Sequence, residues 1–454
     1  MRLKKESVLR FEWADGPVPR IVVEHRKKYK AIDGVLDDNP EILHLVHQDL
    51  KKLSCGGPRG RKGKYTSESV LRALVVMSVE GLPLRDTIVR IAESGFLQDF
   101  VRLGNRTVMD FTFLDKCFKA IRPQTWKRVN ELLGQRAVEQ ELFDPSAVRS
   151  DTTVVESNIH YPTDSSLLWD SWRVSARLLR QARKRSPESC PHRFHDKKVK
   201  ALHLFITRYI SSRSRDRRRK VKTKFRRLIA RVGWIVGIAE GFCTFARGSR
   251  DIELLGVALE LERYLPAMLT VVAAAERAQL RGETVAARER VFSIFEPHTE
   301  LIKRGKRGQP VEFGHKVLLS QTRAKFITDY EVMEDQSPDS DLTEEAIEDH
   351  KDLYGEYPDV LAADTSFNPG AKKRKVLEEK VKTLAIPRHV RDWADKLLVS
   401  WQAFRAGIEG TISCLKRAFR LARCFFRGFN SFASAVGLGV FCHNLIVLAH
   451  CRRE

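Results

Sequence analysis

Apolar residues along this chain recur with two periods, and the changes between them divide it into segments. Residues 1 to about 55 are mixed and weakly patterned, and "GGPRGRKGKY" (Gly56 to Tyr65) reads as a glycine-rich basic linker. "TSESVLRALVVMSVEG" then has helical spacing, opened by Thr66 or Ser67 and stopped at Gly81. A second helix begins in "LPLRDTIVRIAESG" and a third near Thr107 in "RTVMDFTFLDKCFKAI". Short helices joined by tight Gly/Pro turns fit a helix-turn-helix-like unit or an ordinary small bundle. "AVRSDTTVVESNIHYP" (Ala147 to Pro162) changes period, is rich in Thr, Val and Ile, and predicts a strand with Asp151 near its start. Helical spacing returns from Leu167 to about Pro297.

Beyond that block, "VEFGHKVLLSQ" and "KFITDYEVME" alternate like two strands of a hairpin. "DLTEEAIEDHKDLYG" predicts a helix ending at Gly355, and "PDVLAADTSF" a short buried strand with Asp364 at its exit. "KKRKVLEEK" is a helix and "VKTLAI" a strand stopped by Pro387; a long helix from about Arg391 to Cys424 follows. The expected order is β, a helical insert, β, β, α, β, α, β, α. Three antiparallel strands followed by two strands in crossovers describe an α/β, ribonuclease-H-like core. The expected architecture is a mixed five-stranded sheet with a large basic helical insertion after the first strand, preceded by an all-helical N-terminal domain. The expected boundaries are an N-terminal segment and linker over 1–65, the helix-turn-helix-like domain over 66–140, the ribonuclease-H-like domain over 141–430 with its insertion at 165–300, and a C-terminal helix over 431–454.

Charge sharpens this picture. The 454 residues include 81 Lys and Arg against 58 Asp and Glu, a net +23 that favours a polyanionic partner, nucleic acid first. About 24 of the cations fall between Leu167 and Arg250 against about 5 acids, whereas Asp329 to Asp359 holds about 13 acids opposed by Lys351. Like charges without acidic partners repel, a cost that a phosphate backbone removes, so "SRSRDRRRKVKTKFRR" with Arg217, Arg218 and Arg219 is read as a DNA contact. Eight cysteines without a paired framework read as reduced thiols. Cys190, His192 and His195 lie close in sequence, but a fourth ligand and finger spacing are missing. The N-terminus has no signal-peptide core, and "SFASAVGLGVFCHNLIVLAH" is read as a buried terminal helix rather than a membrane span. The expected location is the cytoplasm of a prokaryote, at the nucleoid.

Phosphodiester chemistry calls for two hard cations about 3.5–4 Å apart, held by carboxylates that leave room for water and phosphate. Asp151 on the first strand, Asp364 at the end of the fourth and Glu409 on the last helix suit that demand in this topology. On a continuous helix Arg405, Glu409, Lys416, Arg420 and Arg423 would share an arc of roughly 60°. Trp401, Phe404, Ile408, Ile412, Leu415 and Phe419 would fill the adjoining buried arc. One acid among four bases suits a metal ligand beside phosphate-binding side chains better than a salt-bridge ladder.

These segments resemble the DDE transposases of bacterial insertion sequences, in the group containing the ISNCY-type elements. "SDTTVVESNIHYPTDSSLL" is similar to that family's first catalytic strand, "VLAADTSFNPG" to the segment carrying its second aspartate, and "FRAGIEGTISCLKRAFRLARCFFRG" to its last catalytic helix. "GKRGQPVEFGHKV" resembles the segment leading into the second strand. The R-x3-E-x6-K spacing is met by Arg405, Glu409 and Lys416; Gln402 stands where a tyrosine often precedes the arginine. The resemblance implies Asp151, Asp364 and Glu409 as catalytic ligands of two Mg²⁺ or Mn²⁺ ions. Arg405, Lys416, Arg420 and Arg423 would bind DNA phosphates. It also implies hydrolysis at element ends followed by strand transfer, on double-stranded DNA comprising terminal inverted repeats and target, by a homodimer. A catalytically silent, sequence-specific DNA-binding descendant and a nuclease without strand transfer are the alternatives.

Overall fold

The computed structural model describes residues 2–9, 11, 13, 16–53, 63–306, 309–334, 337–388 and 396–451, so most of the basic linker falls outside the described residues, as does the expected helix start at Arg391. Two compact units divide the chain, one of residues 1–156 and 315–454, the other of 157–314.

The first unit opens with helices α1 (Arg20–Asp38), α2 (Pro40–Leu50), α3 (Ser67–Val79), α4 (Leu84–Ala92), α5 (Gly95–Phe100), α6 (Phe111–Ala120) and α7 (Pro123–Glu139). Their starts follow local chemistry. Thr66, Ser94 and Asp110 accept hydrogen bonds from backbone N–H groups of α3, α5 and α6, and proline opens α2 and α7. The weakly patterned N-terminus is thus partly helical. α3 is buried from Ser67 to Ser78, leaving no face of it open to a ligand. Next come β1 (Ala147–Ser157) and, in the second unit, α8 (Asp164–Arg185), α9 (Asp196–Tyr209), α10 (Arg215–Arg247), α11 (Ile252–Ala275) and β2 (Glu300–Lys306). The chain continues through β3 (Gln309–Thr322), β4 (Ile327–Val332), α12 (Asp339–Tyr354), β5 (Val360–Ala362), α13 (Ala371–Lys380), β6 (Thr383–Ala385), α14 (Lys396–Arg417), β7 (Arg423–Cys424) and α15 (Phe429–Cys451).

Among the described residues seven strands, rather than the five expected, enter one mixed sheet. The first unit holds the order β4-β3-β1-β5-β6, with β7 on β1; β2 pairs with the leading part of β3 inside the second unit. β3 and β4 are antiparallel, whereas β1, β5 and β6 are parallel neighbours. The two additions were hard to foresee for physical reasons. β7 has two residues, too few to show a period, and β2 includes the basic run "IKRGK".

The terminal helix is apolar on all sides because it lies in the core. By length and composition α10 and α15 could each cross a membrane, but 83% of the apolar window of α15 is buried within the fold, and 44% of that of α10. Asn444 of α15 accepts a hydrogen bond from the Ile327 N–H and donates one to the Ile327 carbonyl, both at 2.9 Å, so its polar group is satisfied at the edge of β4.

The second unit packs α8, α9, α10 and α11 around Trp172, Phe225, Leu228, Leu261 and Met268. Its charges divide in a way composition did not reveal. On α8, Arg173 pairs with Asp170, Arg177 with Glu260, Arg180 with Asp196 and Arg185 with Asp251. Arg217, Arg218 and Arg219 on α10 are exposed and have no carboxylate partner among the described residues.

Candidate active site

Strand register brings the first two candidate acids together. β1 and β5 run parallel with Ala147 opposite Val360 and Arg149 opposite Ala362. Two residues further along each strand stand Asp151 and Asp364, so both acids lie at the same end of adjacent strands. Strands pair at about 4.8 Å, which keeps these backbones close without any loop having to bend back. At the strand exit Asp364 accepts hydrogen bonds from the Ser366 N–H at 2.8 Å and the Ser366 hydroxyl at 2.5 Å.

The third acid arrives on α14, which is fastened to the sheet at two points. Gln402 Nε2 donates to the Ala363 carbonyl at 3.0 Å and the Ala385 carbonyl at 2.9 Å, spanning the ends of β5 and β6. Arg149 of β1 donates to the Phe404 carbonyl at 2.7 Å, and its Nε and Nη2 reach Gln321 Oε1 on β3. Gly407 leaves room for that approach, since a Cβ there would lie 2.1 Å from Arg149 Nη1 and push the guanidinium aside. Ile408 and Leu415 are buried beneath the helix, as the apolar arc predicts.

On this scaffold Arg405 lies between two acids. Its Nη1 is 3.4 Å from Asp151 Oδ2 and its Nη2 is 3.3 Å from Glu409 Oε1. The Arg405 side chain is 18% exposed and its Nε has no hydrogen-bond partner among the described residues; Glu409 is 66% exposed. Burial pushes the Asp151 carboxyl up to about 6; Arg405 opposes this, and the negative charges of Asp364 and Glu409 add to it. All three acids therefore share one electrostatic neighbourhood. Among the described residues no three His, Cys, Asp or Glu side chains are drawn together as a ready metal site. The donor set nevertheless fits a hard divalent cation: three carboxylates that repel one another, with one arginine as counter-charge.

Two phosphate-binding candidates leave the predicted arc, because α14 ends at Arg417 rather than near Cys424. Arg420 takes a left-handed φ of 59°, and the Leu421 and Ala422 N–H groups turn back to the carbonyls of Leu415 and Lys416. Arg420 consequently sits over the Phe425 ring at 5.3 Å. Arg423 lies in β7 and pairs with Glu156 at 2.5 Å. Lys416 remains on α14, half-buried, two turns beyond Glu409.

Several residues that shape the site carried no visible signal in the sequence. Asp339, at the start of α12, accepts from Lys316 Nζ at 2.8 Å and from the Thr152 hydroxyl at 3.3 Å, and lies 2.9 Å from the Ser366 hydroxyl oxygen that also reaches Asp364. It links the neighbours of both aspartates. Gln321, Arg149 and Gln402 likewise act through contacts distant in sequence. Compared with protein-family models, with curated proteins and with solved structures, the chain matches none.

Proposed function

We propose that this chain is a bacterial insertion-sequence transposase of the DDE class, which hydrolyses and then transfers phosphodiester bonds at element ends. The observation that carries the proposal is that Asp151 and Asp364 leave the same end of adjacent parallel strands while Arg405 of α14 bridges Asp151 and Glu409. The strand order β4-β3-β1-β5-β6 supports a ribonuclease-H-like reading of the sheet.

Asp151, Asp364 and Glu409 would hold two Mg²⁺ or Mn²⁺ ions, which when bound supply an activated water and neutralise charge on the scissile phosphate. Arg405, released from its carboxylates, would turn to a phosphate oxygen; its Nε, without a partner among the described residues, supports that role, since guanidinium binds phosphate in a forked geometry. Lys416 would add a second cation along the same helix. The exposed arginines of α10 would hold the DNA backbone without reading its sequence. Two element ends have to be cut together, so the working form would be a homodimer at the nucleoid.

The test uses DNA flanking the reading frame, incubated with the chain and Mg²⁺. Cut ends and joined products that disappear in Glu409→Gln, with DNA binding retained, are expected. Cutting without joining would favour a nuclease, and no cutting under any divalent metal would favour a silent DNA-binding protein.

A further inference from the structure

Where α14 gives way to β7, the first unit holds a cavity of about 630 Å³, a size usual for small-ligand sites. Met77, Leu82, Leu84 and Leu438 contribute apolar wall. Two aromatic rings line it under guanidinium groups: Arg85 lies 4.7 Å from the Phe111 ring centroid and Arg420 lies 5.3 Å from that of Phe425. Neighbouring residues of the segment face opposite ways. Phe426 packs inward on Phe118 with centroids 4.1 Å apart, while Phe425 is 56% exposed. Arg85, Arg420 and Arg427 have no carboxylate partner among the described residues, although Asp86 and Asp115 are within the lining and Asp115 holds Lys119.

We propose that this cavity receives an unpaired nucleobase of a single DNA strand, stacked on the exposed part of the Phe425 ring beside Arg420, with the flanking phosphates on Arg85 and Arg427. Each part answers a different need of that ligand. A base presents a π-face that stacks on a ring or guanidinium plane whatever its identity, and the phosphates on either side need cations. An apolar ligand would leave the three arginines unused; an acidic peptide would leave the ring faces unused. This inference deepens the DNA reading above by naming a strand state and a subsite, and it requires no metal.

The experiment measures binding of the full chain, in EDTA, to a labelled oligothymidylate about 12 nucleotides long, to the same strand with abasic sites in place of bases, and to a blunt duplex. The expected result is about tenfold tighter binding of the strand with bases. Phe425→Ala and Arg420→Asn should abolish that preference, and Phe425→Trp should keep it. Asparagine suits position 420 because it tolerates the left-handed backbone there. Equal affinity for the two strands in the wild type, an unchanged preference in Phe425→Ala, or equal competition by polyglutamate would each overturn the inference. Duplex binding that persists in such a case leaves the wider DNA reading standing; loss of binding to all three probes ends both.

Discussion

Arg405 Nη1 lies 3.4 Å from Asp151 Oδ2, a pairing of residues 254 apart in the chain. The arginine partly offsets the burial that holds the Asp151 carboxyl near 6 instead of the ordinary 3.8. Between those values the folded chain keeps a proton that the unfolded chain has released, so stability falls as pH rises through the window and stays lower above it. Asp151→Asn cannot ionise. In EDTA it should be more stable than the wild type above pH 6, by on the order of 3 kcal/mol and with a correspondingly higher melting temperature, and the difference should shrink towards pH 4. Thermal unfolding across that range checks it, and a constant difference at every pH would count against the assignment.

Gly407→Ala should loosen the seat of α14. The added methyl would meet Arg149 Nη1 at 2.1 Å and displace a guanidinium that binds the Phe404 carbonyl and Gln321. A loss of about 1–3 kcal/mol in urea unfolding is expected, the usual range for overpacking. Gly410→Ala serves as the control, because a Cβ there meets nothing within 4 Å.

A second charged cluster, away from the candidate acids, makes a separate pH prediction. Lys127 is half-buried and lies 2.5 Å from the buried Asp329, which holds the lysine charged against the cost of burial. Burial, and next to it the charge of Asp329, pushes Asp349 up to about 7. A raised carboxyl costs stability above its folded value, so Asp349→Asn should stabilise the chain above about pH 7 and change little below pH 4. Lys127→Met should destabilise it by about 3–5 kcal/mol, because Asp329 would remain buried without its cation. Calorimetry at two pH values distinguishes these outcomes.

The α10 arginines should carry the salt dependence of DNA binding. Replacing Arg217, Arg218 and Arg219 by alanine should lower the slope of log affinity against log salt by about 2–3. Replacing Arg173, Arg177 and Arg180, already paired on α8, should lower it far less. Equal losses from both triplets would remove the distinction drawn between the two helices.

Most strands, and the order in which they alternate with helices, were legible because alternating Val, Ile and Leu signals a buried face regardless of distant partners. Asp364 was visible at a strand exit for the same reason. The end of α14 was not: nothing in "CLKRAFRLARC" breaks a helix, and the turn is made by Arg420 in a left-handed conformation that its own sequence does not demand. The N-terminal helix α1 was obscured because Asp33 and Asp37 on it meet Arg72 of α3 at 2.5 and 2.8 Å, so polar residues mark an inner face. Gln402, Arg149, Gln321 and Asp339 are polar residues whose roles depend on contacts made only after folding. Composition correctly drew attention to the basic insertion but could not separate the paired arginines of α8 from Arg217, Arg218 and Arg219 of α10, which have no carboxylate partner among the described residues.

The central claim is that Asp151, Asp364 and Glu409 act as one cation site for which Arg405 stands in. Titration of Mn²⁺ into the full chain, read by the loss of free-ion paramagnetic resonance signal, tests it most directly. The account predicts weaker Mn²⁺ binding in Asp151→Asn, Asp364→Asn and Glu409→Gln, each still folded, and tighter binding in Arg405→Gln, where the competing cation is gone. Unchanged Mn²⁺ affinity in all four variants would contradict it.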